Sequence, residues 1–438
     1  MKTLKFAAGA LAASALAACA LQPSEADKYG ADESRIAAEV YVSSTYGDDA
    51  NDGSRDKPLK TFAKIPKKDA RIFLRKGDVF YEPLAGLENC VVDSYGRGSK
   101  KPLICGIKHL KNPAAWEDMG GGVWRLDMNK TENFGGRNPA ISAQTKLVNN
   151  LGAIYDSATD TVHGHKVKKL DMLKKDWDFF AGEEYESKKI NAETFRWLYV
   201  KLGKNPSSDG AELGITTYGN GIEFWITGSL ASSGNHNYVS GCTISRTYDC
   251  GSTIQGITEK GEIVARDITF TGNKYYRCRQ AFEHFLTNRA DGKSAYEDCR
   301  FVGNFAWESG NNEFSTPEPR DNNFLTYDRY RKGMVIRNNV CYGSGIYAGT
   351  RGWATDFGDN VFYVEQGKHN LVFVYPWGKQ GLTIPANGEA DIKKYRETIG
   401  DETSKIIIVP ESEVESVREE LLDGDFKYVK KILKGKGR

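Results

Sequence analysis

The sequence carries almost no surplus charge: 60 lysines and arginines face 58 aspartates and glutamates, for a formal net charge of +2. No field pulls such a chain onto nucleic acid, so that partner is not expected. After residue 18 there is no second long apolar run, and nothing later in the chain reads as a membrane-spanning helix. Histidine is scarce, with six residues in 438. The eight cysteines show no zinc-ligand spacing, and Cys242 and Cys250 lie too far apart for a CxxC knuckle. Beyond Cys19 their number is odd, so at least one thiol stays unpaired even in an oxidising compartment. Buried free thiols, with one or two disulfides among them, are the expectation. Regularly spaced leucines and long amphipathic runs are also missing, which excludes leucine-rich and helical repeats.

What is there begins with an export signal. Lys2 and Lys5 precede an apolar stretch from Phe6 to Ala18 that is too short to span a bilayer and reads as a signal peptide. It ends in Leu16-Ala17-Ala18-Cys19, which resembles the lipobox of bacterial lipoproteins, where the cysteine is lipidated and becomes the new N-terminus. Ala20, in place of an aspartate, favours the outer membrane. The expectation is therefore a signal peptide over residues 1–18 and a lipidated polar tether over 19–38. It places the protein outside the cytoplasm, as an outer-membrane lipoprotein, periplasmic or cell-surface.

The strongest internal signal lies between Val239 and Gly349. Four segments pair a short alternating strand with a Gly/Asn turn: Cys242-Thr243-Ile244, Ile268 to Asn273, Cys299 to Asn304 and Val335 to Val340. Phe270 and Phe301 stand 31 residues apart, as do Asn273 and Asn304, while Ile244 and Phe270 stand 26 apart. Alternation of apolar and polar residues marks half-buried strands, and repetition at this period marks a solenoid. A coil of three short strands fits the repeat length. Stacking coils at about 4.8 Å would align Cys242, Ile268 and Cys299 in one inward ladder and Ile244, Phe270 and Phe301 in the next. Asn273 and Asn304 would stack at a turn, and Ser315 to Arg320 reads as an inserted loop.

Three stretches carry a family resemblance. Val40-Tyr41-Val42-Ser43-Ser44-Thr45-Tyr46-Gly47-Asp48-Asp49-Ala50-Asn51-Asp52-Gly53-Ser54, followed by Pro58-Leu59-Lys60-Thr61, resembles the opening of bacterial proteins of the pectate-lyase-like superfamily. Tyr395 to Ser404, with Pro410 and Gly424-Asp425-Phe426, is similar to their closing segment. Trp177 to Phe180, Leu198-Tyr199-Val200 and Asn205-Pro206 are similar to a strand insert found in them. The resemblance implies an all-β chain wound as a right-handed parallel β-helix that handles polysaccharide. The helix would span residues 39–389, with a β-rich insert near 110–225. Residues 390–438 would form a capping segment, with a short helix around Val414 to Leu422 and a basic tail. The family adds calcium as a cofactor to consider, but no clear site stands in the sequence. The Asp48–Gly53 loop has Ala50 and Leu59 where an EF-hand needs ligands, and reads as a turn capping the first coil. His163 and His165 lack a nearby third ligand and read as exposed turn residues, so no metal ligand is assigned.

Polar residues after each ladder gather in one zone. Candidate catalytic residues are His284, Arg277, Arg279, Glu283 and Glu308; candidate substrate-binding residues are Asp249, Tyr276, Trp307, Glu313, Tyr327 and Arg329. Cleavage of an acidic glycan by β-elimination needs a base and cations for the developing enolate, for which Arg277, Arg279 and His284 are the residue types, with Glu283 orienting the histidine. Hydrolysis instead needs two carboxylates flanking the bond, from Asp249, Glu283, Glu308 and Glu313. Tyr275, Tyr276 and Trp307 read as flat surfaces for sugar rings, and Tyr327, Arg329, Tyr330 and Arg331 as a groove wall. Elimination stands slightly ahead of hydrolysis, with a non-catalytic glycan-binding lipoprotein as the rival. For every one of these residues, polar solvated surface is the plain alternative.

Overall fold

A computed structural model describes residues 30–110, 113–127, 154–156, 161–163, 165–167, 169–181, 197–208, 213–216, 221–226, 234–247, 250–258, 262–278, 280–288, 294–307, 323–326, 330–332, 334–349, 355–375 and 382–422. It is an all-β chain with few helices. The apolar–polar alternation places its strands in three sheets of eight. Sheet A runs Ala38–Val42, Lys68–Arg75, Glu88–Tyr95, Asn237–Ser240, Ile268–Thr271, Arg300–Val302, Val335–Arg337 and Asp356–Gly358. Sheet B runs Val79–Phe80, Leu103–Cys105, Thr243–Ser245, Lys274–Tyr276, Phe305–Trp307, Val340–Tyr342, Val361–Glu365 and Lys405–Val409. Sheet C runs Leu84–Ala85, Ile222–Trp225, Cys250–Thr258, Gln280–Asn288, Phe324–Thr326, Ile346–Gly349, Asn370–Tyr375 and Leu382–Pro385. All pairings in these sheets are parallel except the last in sheet C. From Lys68 to Tyr375 the chain visits A, B and C in rotation, so each circuit lays one strand on each sheet.

The core lies inside the three sheets, where equivalent side chains stack rung on rung. On sheet A the inward column is Val40, Ile72, Val92, Val239, Phe270, Phe301, Ile336 and Phe357. Phe270 and Phe301 do pair, but Ile244 belongs to sheet B, where it stacks on Tyr275. The residue under Phe270 is Val239. Cys242 likewise leaves the expected ladder with Ile268, whose partner is Asn237. Two residues of turn separate sheets A and B, and a register guessed from one strand type assigned both to the wrong sheet. Tyr275 is consequently a core residue, with its hydroxyl 2.9 Å from Ser252 Oγ. The seven cysteines in the described residues are all buried thiols that form no disulfide.

The turn from A to B carries an asparagine ladder. The backbone N–H groups of Cys242, Asn273, Asn304 and Asn339 donate to the side-chain oxygens of Asn273, Asn304, Asn339 and Asn360 at 3.0, 3.0, 2.9 and 3.0 Å. Each asparagine Nδ2 then donates to a sheet A carbonyl, of Val239, Phe270, Phe301 and Ile336. Ser404 ends the ladder by accepting from Asn360 N at 3.0 Å. The preceding residue has a left-handed backbone and is Gly241, Gly272, Gly303, Asn338 or Asp359, the types that adopt it most easily.

Sequence between the second sheet B strand and the second sheet C strand builds two further, mainly antiparallel sheets. One joins Ile107–Leu110, Leu213–Thr216, Ile154–Asp156 and Thr161–His163; the other joins Trp116–Asp118, Val123–Asp127, Trp197–Lys201, Asp178–Ala181 and His165–Lys166. Trp116, Leu126, Ile154, Phe179, Leu198 and Val200 form a separate core there. At the start of the chain the Asp48–Gly53 loop closes on itself. Asp49 accepts from Lys60 N at 2.9 Å, Thr61 N at 2.8 Å and Thr61 Oγ1 at 2.7 Å.

Two helices follow the last circuit: α1, Glu389–Ile399, and α2, Val414–Leu422. Tyr395 and Ile399 of α1 pack into the main core beyond the antiparallel strand Leu382–Pro385. The segment read as a helical cap is α2, and it has another place. It lies along the outer face of sheet B, covering Trp307, Tyr342 and Tyr363 with Val417 and Leu421. No helix among the described residues is long and apolar enough to cross a membrane.

Candidate functional site

The parallel register decides which expected residues can meet substrate. His284 stands on the inward side of sheet C with Phe282, in strand Gln280–Asn288. It is fully buried, stacked 5.9 Å from Phe282 and edge-on 5.0 Å from Tyr296, with Thr355 Oγ1 3.5 Å from Nε2. Burial alone pushes its pKa down to about 3. An imidazole so weakly basic, and facing the core, is no groove base; its expected catalytic role is corrected to a core residue. Adjacent residues in a strand face opposite sides, so Glu283 does not orient it.

Trp307 is corrected as well. It is 1% exposed, lies beneath α2, and stacks on Tyr276 at 4.8 Å and 12°. Tyr275 is in the core, which leaves only half-buried Tyr276 of the three rings expected to meet sugar. Arg277 sits on the turn leaving sheet B, with φ +50°. The set assembled for β-elimination is therefore dispersed: Arg277 at a turn on one face, His284 in the core. Asp249, Arg279, Glu308, Glu313, Tyr327 and Arg329 lie outside the described residues, as does Cys19. The strands of Tyr330, Arg331, His163 and His165 are described, but not those side chains. Among the described residues no three histidine, cysteine or acidic side chains gather as a metal site.

Of the expected catalytic residues, Glu283 does face outward, and the register gives it company that sequence reasoning missed. Ile222 and Phe224 point into the core, so Glu223 and Trp225 point out. Glu223 aligns with Thr253, which aligns with Glu283; Trp225 aligns with Gln255. The outer face of sheet C thus carries two carboxylates two rungs apart, beside a half-buried tryptophan. Glu283 is 6% exposed and accepts from Gln255 Nε2 at 2.8 Å, with the Cys250 thiol 3.0 Å away. Both partners belong to the preceding rung, so the Glu283 carboxylate leans back toward Glu223. The rung spacing sets the two backbones roughly 10 Å apart. The signal for Glu223 was present in Ile-Glu-Phe-Trp, a strand alternation with its acid and indole on one face.

No family model and no curated protein matches this chain. Similar solved structures include XylC in complex with xylose, at 13% identity and a TM-score of 0.42, covering 77% of this chain and 64% of that one. Others are a GH136 lacto-N-biosidase from Eubacterium ramulus, at 13% identity, TM-score 0.32 and 85% and 68% coverage, and a glycoside hydrolase at 11%, 0.32, 78% and 95%. The match thus spans less than two thirds of the XylC chain.

Proposed function

We propose that the chain is a carbohydrate-active enzyme that hydrolyses glycosidic bonds on the outer face of sheet C. The observation that carries this is the pair Glu223 and Glu283 on one column, with Trp225 beside them. Hydrolysis needs one carboxyl to protonate the leaving oxygen and another to activate water or attack the sugar. Glu223, half-buried, is open to water and is assigned to activate it. Glu283, steadied by Gln255 and Cys250, is assigned to protonate the leaving group. Trp225 offers a flat face for a sugar ring. The separation of the two carboxyls decides whether a water fits between them, and so whether the reaction inverts or retains the anomeric centre. The order of the sequence-based expectations is thereby reversed, hydrolysis ahead of elimination.

We infer further that the circuits wind as a right-handed parallel β-helix, the hand that parallel crossovers adopt in nearly every case. The same reading keeps the protein exported and lipidated at Cys19, which labelled fatty acid incorporated into the full chain and lost in Cys19→Ala would support. The deciding experiment incubates the purified protein with neutral and acidic oligosaccharides and follows the products by NMR. New reducing ends are expected, and their configuration tells an inverting from a retaining reaction. Unsaturated products would replace hydrolysis with elimination, and saturable binding with no product would reduce the protein to a glycan-binding lipoprotein.

A further inference from the structure

The outer face of sheet A changes character along the stack. Val40, Ile72 and Val92 align in the core, so Tyr41, Phe73, Arg75 and Tyr95 point out. Tyr41 stacks on Phe73 at 5.0 Å and 21°, and meets Tyr95 edge-on at 4.9 Å and 82°. All three rings are half-buried. In later rungs the column of Tyr41 and Phe73 continues as Ser240, Thr271, Val302 and Arg337. Its rings are thus confined to the first strands of the sheet.

Beside them stands Tyr46, 68% exposed, the most exposed large hydrophobic side chain among the described residues. Its loop is firmly tied. Buried Asp78 accepts from Ser43 Oγ at 2.6 Å and from Thr45 N and Oγ1 at 3.3 and 2.9 Å. Tyr46 N donates to Ser43 Oγ at 3.1 Å, and Gly47 N to Ser43 O at 2.9 Å. A Cβ on Gly47 would collide with Leu59 O, so the loop sits directly on the segment that follows it. Arg75 Cζ lies 3.8 Å over the Tyr46 centroid and covers one face of that ring. Arg75 also aligns with Tyr95, which joins Tyr46 to the other three rings. Fixing an exposed side chain costs entropy and recovers little burial, so a ring held this way is set for a partner outside the chain.

The edges of the patch identify that partner. Tyr46 and Tyr95 carry hydroxyls, Arg75 a guanidinium, and Tyr41 Oη donates to Glu39 Oε1 at 2.6 Å. A lipid or a purely apolar surface would strand these polar groups. A sugar ring has an apolar C–H face to lay on an aromatic ring and a rim of hydroxyls to bond its edge. We propose that Tyr41, Tyr46, Phe73, Tyr95 and Arg75 form a second, non-catalytic binding site for a glycan chain on the outer face of sheet A. It rests on the carbohydrate reading for the class of ligand, and lies on a different sheet from the carboxylates. Its task is to hold one stretch of a polysaccharide while sheet C acts on another.

Affinity electrophoresis of the full chain, through gels cast with hydroxyethylcellulose, soluble xylan or polygalacturonate, tests this. At least one gel should retard the chain, and Tyr46→Ala and Arg75→Ala should each weaken that affinity about tenfold. Because Tyr46 is exposed, Tyr46→Ala should melt within about 2 °C of the parent and cleave a short oligosaccharide equally fast. Glu223→Gln should keep the retardation. Retardation by none of the gels would overturn the site, as would retardation that neither Tyr46→Ala nor Arg75→Ala reduces. A dimer in sedimentation that Tyr46→Ala splits into monomers would overturn it too, because the rings would then face a second copy of the chain. Retardation lost in Tyr46→Ala, in a chain that cleaves nothing, would keep this site and remove the hydrolase reading. Cleavage with retardation unchanged in both variants would do the reverse.

Discussion

Two sides of the same coil follow different rules. From Gly272 to Asn360 each turn from sheet A to sheet B spends two residues in the same way, one with a left-handed backbone and one whose side chain bonds the preceding rung. After sheet B the turns carry Arg246 and Arg277 instead, and sheet C holds the longest strands, Cys250–Thr258 and Gln280–Asn288. The first side repeats because each rung is a structural copy that must bond its neighbour. The second varies because a side chain there has only to reach something outside the coil. In a stack of parallel strands, then, regular chemistry marks what holds the stack together, and departures from it mark where function can be placed.

The sharpest break of this comparison is on the variable side. Glu283→Gln and Glu223→Gln should each lower turnover by roughly 10²- to 10⁴-fold with unfolding unchanged, the range for a lost acid–base group. Retained turnover in both would show that sheet C's outer face is as inert as the ladder. Next in size is the effect of acid on the core behind that face. Burial lowers the pKa of His284 from 6.5 to about 3 and of His369 to about 4, so the native state resists protons that the unfolded chain binds. Stability should therefore be fully present above pH 6.5 and fall as pH drops toward 4, by roughly 1 kcal/mol or more per unit. Urea unfolding across this window should show the loss, and His284→Phe should make it shallower; an unchanged slope would mean the ring is not held neutral.

On the regular side Asn304→Ala removes the acceptor for Asn273 N and the donor to Phe270 O. It should cost about 2–3 kcal/mol in denaturant unfolding and leave turnover intact, since both groups are buried. A loss under about 0.5 kcal/mol would show that the ladder decorates the coil without holding it. The smallest expected effect is Asp298→Gly, at the turn into sheet A with φ +53°. Relief of the backbone should be worth less than about 1 kcal/mol in either direction, against the loss of turn rigidity in the unfolded chain.

Much of the regular side was legible in the sequence. The 31-residue spacing of Phe270 and Phe301, and of Asn273 and Asn304, is how two stacked copies look when written in a line. The variable side was read poorly, for one geometric reason. Side chains in a strand alternate with a period of two, so an error of one residue or one sheet exchanges inside and outside. That exchange made the core His284 a groove base and the covered Trp307 a sugar platform. Glu223 was missed for a related cause, because it lies 60 residues before Glu283 and only the parallel register brings them to one face.

The sequence by itself determined that this protein is a stack of short strands with an asparagine turn, and it marked Glu283 as a candidate. Those properties are local: alternation, turn chemistry and repeat length act over a few residues and survive without knowing who packs on whom. Only the tertiary structure decided that α2 covers the rings of sheet B, that seven thiols in the described residues stay buried without forming a disulfide, and that Glu223 joins Glu283. Each of these depends on contacts between distant segments, and their register is fixed by burying one complete face of every strand at once.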